Sequence, residues 1–341
     1  MGDVKLKPEA LRRYVIDKFS AADPDVVMQA GVGVDAAAVK ACGETLIAVH
    51  PDPISGAVKH LGTLSIVIPA NDVAMVGAYP RFFTSVLLLP EGSGEDLVDE
   101  ITSSMVRALS RYGASMVGGH TEFTDSVTRP VVVTTAFGIL KAGSLVRIDG
   151  VREGDVIVMS KYAGIEGTAV LASDFRQVLK HRGVGEEVLV KGEEMINDVS
   201  VVEEANLLST EALVNAMHDP TEGGILGGLA EMAYASGKLI RAYADRIPVS
   251  PVTVRVAEVL GIDPLRMLSS GALLASIPRE RAEDAVDLLE GIGVKASVIG
   301  EVLPGGRGAP LLELVRGSSR EFIYDPYIED EVMKLWTLMR G

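Results

Sequence analysis

The chain of 341 residues is long enough for two domains that each bury a core of their own. Hydrophobic residues make up 48% and charged residues 23%, which excludes a disordered or collagen-like chain. The formal net charge of −15 argues against a nucleic-acid partner, because binding to a phosphate backbone needs clustered lysine and arginine. An acidic protein that handles nucleotides would instead need divalent cations to offset the charge repulsion.

The cysteine content and the lack of long apolar runs narrow the class further. Cys42 is the only cysteine, so an intrachain disulfide and a cysteine-rich metal site are both excluded. The first residues carry charges and form no apolar signal core, and no uncharged run reaches the ~18 residues of a membrane span. We therefore expect a cytoplasmic protein that does not use a membrane as a partner.

Two acids in the first half follow predicted strand or turn elements. Asp35 comes directly after a glycine-rich turn that includes Gly33. Residues 45–49 are predicted to form a buried strand, and Asp52 follows between two prolines, which predicts a rigid extended turn at the strand end. Either acid is explained by an ordinary structural turn or by a ligand.

A third acid lies in a predicted helix. Pro69 is expected to open this helix, because an interior proline removes a backbone hydrogen bond. Asn71 and Asp72 would then lie in its first turn, where an acid is favoured by the helix dipole and is well placed for a cation. A plain helix-terminal acid is the alternative.

A second glycine-rich turn is predicted after a strand at residues 114–117. His120 in this turn is a candidate base or ligand, or more simply a hydrogen-bonding residue, and Glu122 repeats the pattern of an acid after glycines. The complete glycine-rich turn consists of Gly118, Gly119, His120, Thr121 and Glu122. Residues 131–140 are predicted to form the strand that ends the first half.

The second half begins where the chain turns polar, and we place the boundary between a first domain at 1–147 and a second at 148–341. A loop at 164–168 opens a helix and is a possible anion site, with a structural loop as the alternative. Residues 298–302 are predicted as the last strand, and residues 327–339 as a surface helix.

The most informative stretch runs from Met217 to Gly224, where a strand, an acidic turn and a helix follow one another. Asp219 and Glu222 are placed at the helix N-terminus, where carboxylates suit Mg²⁺ and free amides suit a phosphate. Gly223 and Gly224 would let the backbone approach a ligand. A capping Asp with a Glu three residues later is the alternative and needs no ligand.

As a set these motifs resemble the ATP-dependent family of aminoimidazole ribonucleotide (AIR) synthase, to which the hydrogenase-maturation protein HypE, selenophosphate synthetase and thiamine-monophosphate kinase also belong. The resemblance covers nearly the whole chain, in the family's order, and is strongest to the AIR synthase-related, HypE-like group. The matching segments are Gly33–Ala37, Asp52–Ile54, Asn71–Pro80, Gly118–Glu122, Asp219–Gly224, Ser270–Leu274 and Ile299–Val302.

This resemblance implies an α/β (α+β) fold with two domains. The N-terminal domain would pair with its twin in a homodimer to close a β-barrel, and the C-terminal domain would form an α/β sandwich beside it. ATP would lie in a cleft near the dimer interface, with Mg²⁺ bridging its phosphates to acidic residues. Catalysis in such a site is mainly positioning and charge neutralisation.

The resemblance also assigns site residues. Asp72 and Asp219 would be the catalytic acids, and Asn71 would help to place the phosphates. The metal ligands implied are Asp35, Asp52, Asp72, Glu122 and Asp219, which converge once both domains and the twin subunit assemble. The cofactor-binding residues implied are Gly33, Asn71, Gly118, Gly119, His120, Thr121, Gly223 and Gly224.

We therefore expect an enzyme that cleaves ATP in the presence of Mg²⁺ to activate an oxygen of a small acceptor or to phosphorylate that acceptor. The alternatives are a maturation factor that acts on a protein partner and a nucleotide-binding regulatory dimer without turnover. HypE works on a cysteine near its own C-terminus, whereas the single cysteine here is Cys42. Dehydration of a carbamoyl group on a self-carried thiol is therefore not expected.

Overall fold

The computed structural model describes residues 7–18 and 23–338, and its first half is built on a six-stranded mixed sheet. The strands of this sheet are β1 (Val26–Met28), β2 (Ala37–Cys42), β3 (Thr45–Ile54), β4 (Tyr79–Pro90), β5 (Ser115–Thr124) and β6 (Val131–Lys141). Their order is β1-β2-β3-β6-β4-β5, and only β4 and β5 pair in parallel. β5 is therefore an edge strand.

One helix of the first half is buried on all sides. The helices here are α1 (Pro8–Tyr14), α2 (Leu61–Met75) and α3 (Glu95–Tyr112). α2 packs against the sheet through β3 and β6 and against α3, and all its residues except Thr63 are buried. Such a helix is apolar around its whole circumference because no face meets water.

The predicted helix start at Pro69 is wrong. α2 begins eight residues earlier, at Leu61, and Pro69 lies inside it. Packing on every side outweighs the roughly 3 kcal/mol that an interior proline costs. Asp72 consequently lies in the last turn of α2 rather than in the first, so the helix dipole does not favour its charge.

Two predicted turns are strands. β3 continues through Asp52 to Ile54 and pairs with β6 along its whole length, whereas β2 pairs with β3 only as far as Val49. Prolines are tolerated in this last part of β3 because its other edge is unpaired. The stretch from Gly118 to Glu122 likewise belongs to β5 and pairs with β4.

The second half contains a seven-stranded sheet. Its strands are β7 (Val156–Ser160), β8 (Ala216–His218), β9 (Leu239–Tyr243), β10 (Leu274–Ile277), β11 (Ala296–Leu303), β12 (Leu312–Arg316) and β13 (Ser319–Ile323). The order is β13-β12-β9-β11-β7-β10-β8, and only β9 and β12 pair in parallel. The prediction that 298–302 form the last strand is wrong, because β12 and β13 follow as a hairpin; most of β13 is exposed and so gives no apolar signal.

The helices of the second half pack around this sheet and its connections. They are α4 (Ile165–Asp174), α5 (Arg176–His181), α6 (Glu186–Glu194), α7 (Val202–Thr210), α8 (Gly224–Ser236), α9 (Pro251–Leu260), α10 (Ala282–Gly291) and α11 (Glu331–Leu338). α11 is not simply a surface helix, since Val332 is buried. Among the described residues no helix is both long and apolar enough to cross a membrane.

The two halves share one packed junction. α2 contacts α7 and β8, and one hydrophobic cluster includes buried residues from both sheets. The Asn71 amide donates to Val199 O and accepts from Val201 N, both at 3.0 Å. α2 thus carries Asp72 to the junction. The boundary at 147/148, which lies in the connection between β6 and β7, stays a prediction.

Candidate active site

A cavity of about 720 Å³ opens at this junction. It brings together most of the predicted acids, from four separate elements: the loop before β2, β3, α2 and the turn between β8 and α8. The acids that line it are Asp35, Asp52, Asp72 and Asp219, and Gly33 lines it as well. The strand, turn and helix order predicted around Asp219 is confirmed, with β8 ending at His218 and α8 beginning at Gly224.

Asp219 is held in an environment that disfavours its charge. Its side chain is buried, and neither carboxylate oxygen accepts a hydrogen bond of ordinary geometry from the described residues. Burial, followed by repulsion from Asp35, raises the pKa of Asp219 to about 7, although the neighbouring Asn71 amide favours the charged form. A bound cation would relieve this electrostatic stress.

Asp72 shows the same effect. Burial raises the pKa of Asp72 well above its usual value, and repulsion from Asp52, Asp35 and Asp219 raises it further. The His50 ring nitrogen Nε2 lies 3.5 Å from Asp72 Oδ2. The acids are therefore close enough to repel one another, which is what a shared cation site requires.

His218 links the two halves by bridging two acids. Its Nδ1 lies 2.7 Å from Asp35 Oδ1 and its Nε2 lies 2.8 Å from Glu231 Oε2. Burial alone would lower its pKa, but these two carboxylates hold the pKa of His218 well above its usual value. Sequence reasoning missed this bridge, because Asp35 lies in the other half of the chain and Glu231 lies 13 residues after His218, on α8. The only sequence signal for His218 was its position next to Asp219.

The acids fit a metal ion that is shared with a ligand rather than one held by the protein alone. In the described part of the chain, no group of three or more His, Cys, Asp or Glu side chains forms a complete metal site. Mg²⁺ keeps several waters and is commonly bound by one or two carboxylates together with substrate phosphates. Both oxygens of Asp219, and Asp72 Oδ2 apart from its 3.5 Å contact with His50, lack hydrogen bonds of ordinary geometry among the described residues and suit that arrangement.

The predicted residues of β5 lie elsewhere in the single chain. His120 Nε2 is 3.0 Å from Glu122 Oε2, and both side chains are exposed. They point away from α2, on the open face of the first sheet, since His120 pairs with the exposed Val86 of β4. Within one chain, none of the β5 candidates lines the cavity: Gly118, Gly119, His120, Thr121 and Glu122.

Gly223 and Gly224 are accounted for by packing within the protein. Both have positive φ, and a Cβ on Gly223 would lie 2.7 Å from Ile328 O, while one on Gly224 would lie 2.5 Å from Leu265 O. The Gly223 N–H donates to Asp330 Oδ2 at 3.1 Å. The protein's own carboxylate thus occupies the helix N-terminus where we predicted a phosphate, and neither glycine lines the cavity.

The loop at 164–168 also differs from the predicted anion site. The Gly164 N–H donates to Ser269 Oγ at 2.9 Å, and Glu166 brings a buried carboxyl to the cavity wall. Ser270, which sequence reasoning did not single out as a site residue, lines the same wall. Glu166 and Ser270 lie far apart in the sequence and meet only in the folded protein, so no local sequence pattern predicts that they line one wall.

Gly223→Ala is expected to lower the free energy of unfolding by more than about 1 kcal/mol, because positive φ is strained for alanine and the backbone of Ile328 must also move. Gly237→Ala is the matched control, since Gly237 has φ +68 and, apart from its chain neighbours, no described residue has an atom within 4 Å of its Cβ position. Chemical denaturation measures both. Equal losses in the two variants would contradict the packing explanation.

Comparison with known proteins agrees with this architecture. Residues 33–140 match the family model described as AIR synthase related protein, N-terminal domain, and residues 152–313 match the corresponding C-terminal domain. The crystal structure of the hydrogenase maturation protein HypE in complex with ATP is similar with a TM-score of 0.72, covering 95% of this chain and 96% of that chain at 23% identity. This likeness shows the fold.

Two relatives are similar in sequence over most of their length. Carbamoyl dehydratase HypE of Cupriavidus necator is 30% identical over 253 residues, which cover 72% of this chain and 69% of the relative. Carbamoyl dehydratase HypE of Escherichia coli is 28% identical over 257 residues, which cover 74% and 73%. The chain therefore belongs to the AIR synthase-related family of ATP-dependent enzymes.

Proposed function

We propose that this chain uses Mg²⁺ and ATP to phosphorylate an oxygen of an acceptor, either as the final product or to activate that oxygen for a later step. The observation that carries the proposal is the convergence of Asp35, Asp52, Asp72 and Asp219 on one cavity. A site for a neutral ligand has no use for acids that repel one another and lie partly or wholly buried.

Each part of the site has a definite task in this proposal. Asp72 and Asp219 would hold Mg²⁺ through their buried oxygens, with Asp35 and Asp52 completing the acidic wall. When bound, Mg²⁺ neutralises charge on the phosphates. His218 contacts Asp35, and Asn71 holds α2 against the second half, where Asp72 is close enough to Asp219 for the two carboxyls to repel each other. Positioning of this kind supplies much of the catalysis in phosphoryl transfer.

ADP release measured with Mg²⁺ and with a chelator tests the proposal. We expect release by the wild type to require Mg²⁺ and to fall at least about 100-fold in Asp72→Asn, because the variant loses a charge aimed at the cation. Glu153→Gln, at an exposed position outside the cavity, is the matched control and should keep wild-type activity. Nucleotide binding without turnover of any acceptor would favour a regulatory dimer instead.

We further propose a homodimer formed through the open face of the first sheet. Large apolar side chains are exposed on this face, including the paired residues Tyr79 and Ile139, and no strand of the described residues pairs with the outer edge of β5. Exposed apolar surface and an open strand edge are both typical of protein interfaces. In this arrangement Glu122 and His120 of one subunit would serve the cavity of the other.

Mixing two inactive variants tests the shared site. Glu122→Gln and Asp219→Asn homodimers should each be nearly inactive, and subunit exchange should restore activity, because a mixed dimer keeps one site with both acids. With complete exchange we expect about one quarter of wild-type activity, since half of the dimers are mixed and each has one intact site of two. No recovery, together with a monomer in light scattering, would contradict both the dimer and the shared site.

The relatives named carbamoyl dehydratase favour a second candidate, in which the acceptor is a carbamoyl group presented by a protein partner. The chain's own thiol does not suit that reaction, because Cys42 is exposed on β2 and does not line the cavity. Stimulation of ADP release by a peptide that carries a carbamoyl group on a cysteine thiol, and not by small metabolites, would support this candidate over the first.

A further inference from the structure

A second group of polar side chains lines the same cavity beside the four aspartates. We call Glu166, Glu222 and Ser270 the Glu166 cluster. They come from the first turn of α4, from the turn before α8 and from the loop before β10. None of them has a role in the Mg²⁺ and phosphate assignment above. Glu166 is nevertheless almost completely buried.

The loop that carries Ser270 is fixed by the backbone around it. Gly164 N donates to Ser269 Oγ and Gly167 N donates to Leu268 O, both at 2.9 Å. Gly271 follows with φ +103, and a Cβ there would lie 2.8 Å from Asp198 O, so the turn admits only glycine. The position of Ser270 is therefore built into the fold.

Ser270 presents an unsatisfied group. Its side chain is fully buried, and its Oγ makes no hydrogen bond of ordinary geometry with any described residue, although it lies close enough to the Glu166 carboxyl to favour the charged form of that group. Buried hydroxyl groups normally find a partner, and one left without a partner destabilises the protein. An unsatisfied hydroxyl at a cavity wall therefore indicates a polar ligand.

The charge around the cluster selects the ligand's chemistry. Burial raises the pKa of Glu166 to about 8, the Ser270 hydroxyl opposes this shift, and repulsion from Glu222, Asp219 and Asp330 adds to it. Among the described residues that line the cavity, Arg129 is the only lysine or arginine. A carboxylate or phosphate beside these acids would add to the repulsion, whereas a cation would relieve it and favour the charged form of Glu166.

Two aromatic residues also line the cavity, Trp336 of α11 and Tyr327. Trp336 packs over Gly56 so closely that a Cβ on Gly56 would clash with the indole ring. Trp336 is the only tryptophan of the chain. The face of an indole ring attracts cations, especially where water is excluded.

We propose that the Glu166 cluster and Trp336 bind a cationic nitrogen group of the acceptor, such as an amine, an amidine or a guanidine. Glu166 and Glu222 accept its N–H donors, Ser270 Oγ accepts another, and the indole ring covers its apolar side. The acceptor therefore carries no phosphate or carboxylate at this end. This assignment adds the chemical class of the acceptor to the proposed function. Only the identification of the bound group as part of the acceptor rests on that function.

Fluorescence of Trp336 in the full chain tests the assignment, because the single tryptophan lines the cavity. The probes are butylamine and butylguanidine, with butyrate and butyl phosphate as anionic counterparts of similar size. Each is titrated with and without Mg²⁺ and a non-hydrolysable ATP analogue, and calorimetry is the second readout. We expect saturable binding of the two nitrogen probes only, weakened at least about tenfold in Glu166→Gln.

Controls separate this proposal from the proposed function. Glu153→Gln should bind the nitrogen probes as the wild type does, and Glu166→Gln should still bind the ATP analogue. If the wild type binds the nitrogen probes but not the ATP analogue, the proposed function is contradicted and the cation site is supported. Equal binding of anionic probes, unchanged affinity in Glu166→Gln, or no binding of either nitrogen probe at millimolar concentrations would overturn the cation site.

Discussion

Asp219→Asn is expected to abolish turnover and, at the same time, to stabilise the metal-free protein. Turnover should fall at least about 100-fold, because a charge that would hold the cation is removed. The free energy of unfolding in a chelator should rise by about 1–3 kcal/mol, because a buried carboxylate whose oxygens lack ordinary hydrogen bonds becomes a neutral amide. Replacing a residue that only supports the fold would instead lower the free energy of unfolding.

The pH dependence of this gain follows from the direction of the shift. The folded-state pKa of Asp219, about 7, lies above its ordinary value of 3.8, so the free energy of unfolding falls as pH rises from the lower value to the higher one. Asparagine does not titrate, so the variant does not lose this stability. The stability gain should therefore be larger at about pH 8 than at about pH 5. Denaturation of both proteins in chelator at the two pH values measures it, and a variant less stable than the wild type at the higher pH would contradict the account.

His218→Asn is expected to destabilise the protein by about 3 kcal/mol, because it leaves the carboxylates of Asp35 and Glu231 facing one another without the imidazole between them. His181→Asn is the matched control: His181 is exposed on α5, and its Nδ1 lies 2.7 Å from the Gln177 carbonyl of its own helix, so the change should stay within about 0.5 kcal/mol. Urea denaturation compares them. Similar losses in both variants would mean that the bridge does not join the halves.

The acids that line the cavity were predicted from the resemblance of several short motifs to one family, because each acid taken alone was explained as well by a structural turn or a helix end. Asp35 and Asp219 do lie in turns in the structure, since each sits in a loop beside a strand. The local geometry of the others was not predictable. The sequence around Pro69 obeys the usual rule for a helix start, and only packing on all sides of α2 overrides that rule.

The β5 candidates show a different limit. Glycines followed by an acid read as a turn, yet Gly118 to Glu122 form a strand because β4 lies beside them and supplies the pairing partners. The grouping of Glu166, Glu222 and Ser270 and the His218 bridge were missed for a similar reason. Their members come from distant parts of the chain, and only the packing of two sheets around α2 brings them to one cavity.

Calorimetric titration with a non-hydrolysable ATP analogue, in the presence and absence of Mg²⁺, tests most directly whether the clustered aspartates form a magnesium–triphosphate site. We predict that binding to the wild type is strong only with Mg²⁺, and that Asp72→Asn weakens it by at least about tenfold while Glu153→Gln leaves it unchanged. Binding that is independent of Mg²⁺ and equally strong in Asp72→Asn would contradict the account.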